Sequence, residues 1–138
     1  MPPELHGLAY CPGTINLRPF QRLTGEDFLA DYRINLLGAV NVIQACLPKL
    51  RKSKTGASIV LFSTVAVQTG MSFHASIASA KGAVEGLTRS LAAEFAPRVR
   101  VNAIAPSLTD TPLAESLVST EDKRRAALER AFLHDVNN

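Results

Sequence analysis

The sequence predicts an α/β fold built on part of a doubly wound parallel sheet, with one further helix towards the C-terminus. Three observations carry that expectation. Short apolar runs of strand length occur at residues 5–10, 59–62 and 99–105, each followed by turn-forming residues. The two long stretches between them repeat apolar residues at steps of three and four, the period of an amphipathic helix. The middle run, Ile59 to Phe62, is continuously apolar, as in a parallel strand covered on both faces. Strand, helix, strand, helix, strand is the pattern of two βαβ units sharing one sheet.

Each element has a local reason. Leu5 to Tyr10 reads as a buried strand closed by Pro12 and Gly13. A helix starts at Thr24, whose hydroxyl suits an N-cap, with Asp27 as its acidic partner three residues on and Glu26 at the positive end of the dipole. Phe28, Tyr32, Leu36, Val40, Ile43, Leu47 and Leu50 line one face, so a single helix is expected over 24–50, slackening at Pro48. A basic loop, Arg51 to Gly56, leads to the second strand. The next helix runs from His74 to Phe95, with Ala80, Val84, Leu87, Leu91 and Phe95 on its apolar face, and stops before Pro97. Val99 to Ala105 is the third strand, closed by Pro106. Thr120 to Leu133 reads as a charged helix, and the tail His134 to Asn138 offers nothing to pack. A three-stranded parallel sheet would leave two edges of unpaired backbone groups.

Bulk properties narrow the function. With 138 residues, the chain suits a single domain that buries roughly two thirds of its extended surface. It is 46% hydrophobic and 20% charged, which excludes a disordered chain. The net charge is +3, but the clearest basic cluster, Lys49, Arg51, Lys52 and Lys54, follows a helix C-terminus where cations offset the dipole. No aromatic platform lies beside it, so no nucleic-acid partner is expected. Cys11 and Cys46 stand in dissimilar contexts without metal-ligand spacing, so reduced thiols and no metal are expected. The N-terminus lacks the basic and apolar regions of a signal peptide, and no apolar run reaches the roughly 18 residues of a membrane span. A cytoplasmic protein with no membrane partner follows as the expectation.

In parallel α/β sheets, ligands sit beyond the carboxyl ends of the strands. Those ends carry Tyr10 to Gly13, Ser63 and Thr64, and Pro106 to Thr111. Lys81 is set among Ala78, Ala80, Gly82 and Ala83, so its ammonium either approaches a ligand closely or points to solvent.

Four stretches recur here in order and spacing: Asn35 in RINLLGAV, Ser63-Thr64 after the second strand, Lys81 in ASAKGAVEGLTRSLAAEFAP, and VRVNAIAPSLTDTPLA. On these, the chain resembles the short-chain dehydrogenase/reductase family from its fourth strand onward, over about Leu5 to Ala114. The resemblance implies a Rossmann-like fold at 5–114, with a substrate-loop helix and tail at 115–138. It implies NAD or NADP as cofactor and hydride transfer on a small carbonyl or alcohol substrate. A homodimer or homotetramer through helices 24–50 and 74–96 is also implied, and the small residues Ala39, Ala83 and Gly86 would permit close helix approach.

In the family a tyrosine four residues before the lysine donates a proton. The lysine holds the ribose, a serine thirteen residues before the tyrosine orients the carbonyl, and a helix asparagine supports a water and proton relay. Carried over by position, the lysine is Lys81, the asparagine Asn35 and the orienting hydroxyl Thr64, with Ser63 as its neighbour. The tyrosine position is Ile77, which has no proton to give. His74, one helical turn earlier, and Tyr10, at a strand end, are the substitutes considered for the missing acid. Gly13, Pro106 and Thr111, with Lys81, are the implied cofactor contacts.

Further departures follow. Tyr10, Cys11, Pro12 and Gly13 stand where the family has Asn-Asn-Ala-Gly, and Pro106-Ser107 where it has Pro-Gly. No G-x-x-x-G-x-G, the turn that places a pyrophosphate on a helix N-terminus, occurs in the sequence. The chain therefore reads as truncated, its cofactor's adenine half to be held by a missing N-terminal segment or by a partner. The alternative is a catalytically inactive module that keeps the fold for binding or oligomerisation.

Overall fold

The strand Ala57–Phe62, β2, lies between β1 (Gly7–Ala9) and β3 (Val99–Ile104) and is parallel to both. In this computed structural model, residues 2–109, 111, 112, 115 and 119–126 are described. They fall in two compact units, Met1–Ala105 and Pro106–Asn138. The α/β architecture with a parallel sheet matches the sequence expectation. β2 alternates buried and half-buried residues, with Ile59 and Leu61 fully enclosed, so one face is covered more completely than the other. β1 was expected to be buried. It alternates exposed and half-buried residues instead, because it is an outer strand of this sheet and only Leu8 faces the core.

The helix predicted over 24–50 begins as expected. Thr24 accepts from the Asp27 amide at 3.3 Å while Asp27 Oδ2 accepts from the Thr24 amide at 2.8 Å, a complete capping box. The helix is not one regular element, however. It runs as α1 (Gly25–Tyr32), a π-helical turn at Arg33–Leu37 and α2 (Gly38–Leu50). The wider turn adds a residue and shifts the buried row, so Tyr32 is exposed where the apolar period had placed it in the core. Its place on the buried side is taken by Asp31. Beyond the turn, Leu36, Ala39, Ile43, Cys46 and Leu50 face the sheet. Ala39 is fully buried and so is not an outer residue open to a second copy.

A short helix absent from the sequence reading, α3 (Ala66–Thr69), follows β2. The long helix α4 (Ala75–Phe95) starts at His74 and packs Ala80, Val84 and Phe95 into the core, with Leu87 and Leu91 half-buried against it. Phe73 enters it with a left-handed φ of 69°, its carbonyl held by the Arg18 amide at 3.2 Å. In the second unit, residues 121–126 are helical, and the Lys123 amide donates to Thr120 Oγ1 at 3.3 Å, an N-cap at the expected start. The rest of the helix expected to Leu133 and the tail His134 to Asn138 lie outside the described residues.

Candidate functional site

α4 carries Lys81 past the carboxyl end of β2, where Lys81 Nζ donates to the Phe62 carbonyl at 2.8 Å. A helical side chain leans towards the N-terminus of its helix, which brings the ammonium back over the strand end. The small neighbours Ala80 and Gly82 let it lie down, and the ammonium is half-buried. Burial disfavours its charged form and holds its pKa below the ordinary 10.5.

Asn35 reaches the same place from the π-turn. It is 1% exposed, and its Nδ2 donates to the Asp31 carbonyl and to Thr14 Oγ1, both at 2.8 Å. Its Oδ1 is buried with no hydrogen-bond partner. A Cβ built on Gly13 would stand 3.4 Å from Asn35 Oδ1 and 3.6 Å from Lys81 Nζ. Gly13, Asn35 and Lys81 are therefore brought together around one space, lined by an acceptor and a cationic donor. An unsatisfied buried carbonyl of this kind costs free energy unless a water or ligand donates to it.

Below this space lies a polar cluster that sequence reasoning missed. Asp31 is 2% exposed, and its two carboxylate oxygens accept from Thr14 Oγ1 and Ser76 Oγ, each at 2.6 Å. Ser76, also buried, lies within 3.3 Å of the Asp27 carbonyl as well. The cluster ties the loop after β1, the α1 helix and the first turn of α4 together. The signal available in the sequence was spacing: Asp31 precedes Asn35 by four residues, which puts both on one helix face.

The remaining predicted residues are placed as follows. Thr64 Oγ1 accepts from the Ala66 amide at 3.3 Å, which leaves its own proton to donate. Ser63 is buried, and its hydroxyl is committed to Glu85 Oε1 at 2.6 Å. Ile77 is buried, 6% exposed. His74 Nδ1 lies 2.8 Å from the Ser72 carbonyl, which can only accept, so that nitrogen carries the proton and Nε2 faces outward from this bond. Tyr10 donates its phenolic proton to the Ile34 carbonyl at 2.6 Å, and burial raises its pKa above the ordinary 10.0. Pro106 and Thr111 belong to the second unit, where Thr111 is exposed. Among the described residues no three His, Cys, Asp or Glu side chains form a metal-binding group, and no helix is long and apolar enough to cross a membrane.

Comparison with known proteins extends the geometry. A family model described as enoyl-(acyl carrier protein) reductase matches residues 3–137. A tropinone reductase homologue of Arabidopsis thaliana is 38% identical over 119 residues, covering 86% of this chain and 45% of the relative. The 3-oxoacyl-[acyl-carrier-protein] reductase of Thermotoga maritima is 39% identical over 110 residues, covering 79% of this chain and 44% of the relative. An Escherichia coli short-chain dehydrogenase structure complexed with NADPH superposes with a TM-score of 0.80 at 30% identity, covering 89% of this chain and 51% of that one. The chain thus spans about half the length of the relatives it matches.

Proposed function

The chain belongs to the short-chain dehydrogenase/reductase family, and from that premise we propose that it acts in NAD(P)-dependent oxidation or reduction of a small carbonyl or alcohol. The single observation that carries the reading is the convergence of Lys81 Nζ and the unpaired Asn35 Oδ1 beside Gly13. That space suits a ribose hydroxyl, which donates one hydrogen bond and accepts another. Residue 13 contributes no side chain to it. When bound, the nicotinamide supplies or accepts the hydride. NADPH in a solved neighbour supports a nicotinamide dinucleotide as the ligand class.

Each residue of the chain then has a defined task. Lys81 holds the ribose and presents positive charge to the reacting oxygen. Thr64, its acceptor side occupied by Ala66, donates to the substrate oxygen, whereas Ser63 is spent on Glu85. Ile77 supplies no proton. Tyr10 is committed to Ile34, so the donor role falls to His74, which as the imidazolium carries a proton on Nε2 as well as on Nδ1. Pro106 and Thr111 remain the proposed contacts to the nicotinamide end. The names of the relatives favour this enzymatic reading over a noncatalytic binding or oligomerisation module.

The test is oxidation of NADPH and NADH by the purified protein with a panel of aldehydes and ketones. Turnover that falls on the order of a hundredfold in Lys81→Ala and in His74→Gln supports the assignment. Turnover unchanged by Lys81→Ala, or no turnover on any carbonyl with the dinucleotide bound, overturns it.

A further inference from the structure

The orientation of the Asn35 carboxamide is not left to Asn35 itself. An amide presents an acceptor on one side and two donors on the other, and either side fits the same volume. What decides between them is the order of donors and acceptors in the chain of hydrogen bonds behind it. Both oxygens of Asp31 receive hydroxyl donors, Thr14 on one and Ser76 on the other. Thr14 has a single proton, and it is spent on Asp31, so its oxygen can only accept from its other neighbour. That neighbour is Asn35, which must therefore turn its NH2 towards Thr14 at 2.8 Å. The Asp31 carbonyl, also acceptor-only, makes the same demand at 2.8 Å. Oδ1 is thereby forced to the opposite side, facing Gly13 and the Lys81 ammonium.

We infer that Asp31 is a positioning residue: its buried carboxylate sets the direction of the Asp31–Thr14–Asn35 hydrogen-bond chain and so aims the Asn35 carbonyl into the Lys81 site. The carboxylate has no ion-pair partner among the described residues, so its burial is compensated by hydroxyls alone. An apolar residue in its place would not incur that desolvation cost, so what distinguishes the carboxylate at this position is the pair of hydroxyl donors it orders. Residue 31 as Asn would offer Thr14 a donor as readily as an acceptor. The Thr14 proton would then be free to reverse, which removes one of the two demands on the Asn35 NH2 and leaves the backbone carbonyl of residue 31 alone to hold the carboxamide against a flip towards Lys81.

The inference rests on the oxidoreductase reading only for its purpose. The orientation itself is measurable without cofactor. Side-chain amide NMR of the whole chain reads it through the Asn35 NH2 signals, their Overhauser contacts to Thr14 and their solvent exchange. In Asp31→Asn and in Thr14→Val, the Thr14 contacts should disappear and exchange accelerate on the order of tenfold. Thr14→Ser should restore the native signals, since it keeps the hydroxyl. Ser76→Ala removes an equal hydrogen bond from the other oxygen of Asp31, so it should lower stability while leaving the Asn35 signals in place. Should Asp31→Asn fail to fold, Asp31→Val, which also leaves the Thr14 proton without its acceptor, takes its place and should give the same change. Unchanged Asn35 signals in Asp31→Asn and Asp31→Val, or equal changes in Ser76→Ala, overturn the inference.

Discussion

The phenolic oxygen of Tyr10 occupies the space that a Cβ on residue 38 would take, so the Tyr10–Ile34 hydrogen bond and the glycine at 38 form one feature. In the π-turn the Gly38 amide bonds back to the Arg33 carbonyl, which leaves the Ile34 carbonyl without its ordinary helical donor. Tyr10 supplies the replacement, and the widened turn that results is the one carrying Asn35. Tyr10→Phe should cost about 1 kcal/mol through the lost hydrogen bond. Gly38→Ala should cost about 1–3 kcal/mol by overpacking, less of it in a Tyr10→Ala background. Urea denaturation of Tyr10→Ala, Gly38→Ala and their double measures the coupling; strictly additive costs would show that the two residues act independently.

The start of α1 is expected to weaken in acid. Hydrogen bonds from the Thr24 amide and hydroxyl hold the Asp27 pKa below its ordinary 3.8, with Arg18 adding to the shift. A lowered acid pKa means stability that is present above the unfolded value and is lost as pH falls through the folded one. Thr24→Ala should cost about 1 kcal/mol at neutral pH. Denaturation below pH 3.8 should show that difference shrinking as Asp27 takes up its proton.

Lys81 shows the same sign of dependence at the basic end of the scale, as a cost relieved rather than a gain lost. Its folded pKa lies below 10.5, so between the two values the unfolded chain binds more protons and stability rises with pH. Lys81→Met removes this contribution. The stability of the parent relative to Lys81→Met should therefore increase as pH approaches 10.5, and a difference flat across that range would argue against a desolvated ammonium.

The core and the outer side of the helical layer should respond differently to substitution. Leu61, fully enclosed on β2, should cost about 2–5 kcal/mol as Leu61→Ala. Leu37 is 42% exposed on that outer side, near the exposed Leu29, Ile34 and Val42. If this side meets a second copy, Leu37→Asp should leave the melting temperature of the monomer within a few degrees and reduce the sedimenting mass. A parent that is monomeric at micromolar concentration would remove that reading.

How much of this was legible in the sequence depended on how local each cause was. The capping box at Thr24 lies within four residues and was readable, as was Ile77, found by counting back from Lys81. The π-turn was not, because the group that stabilises it, the Tyr10 phenol, lies 24 residues from Ile34 in sequence. That turn in turn hid Asp31, which a regular helical period had left off the buried row. Asn35 and Lys81 were individually identifiable by their setting. Their convergence on Gly13 depends on where β1, β2 and two helices meet, and no spacing encodes it. Ser63 and Thr64, adjacent and chemically alike, were separable only by their partners, Glu85 and the Ala66 amide.

The most direct test is NMR titration of the protein with nicotinamide mononucleotide, alongside adenosine monophosphate. The nicotinamide half should move the resonances of Gly13, Asn35 and Lys81. The adenosine half should leave them in place, and Lys81→Ala should weaken the response on the order of tenfold, the loss of about one charge-assisted hydrogen bond. Nicotinamide mononucleotide that leaves those three residues unmoved, or binds equally to Lys81→Ala, would contradict the proposed function.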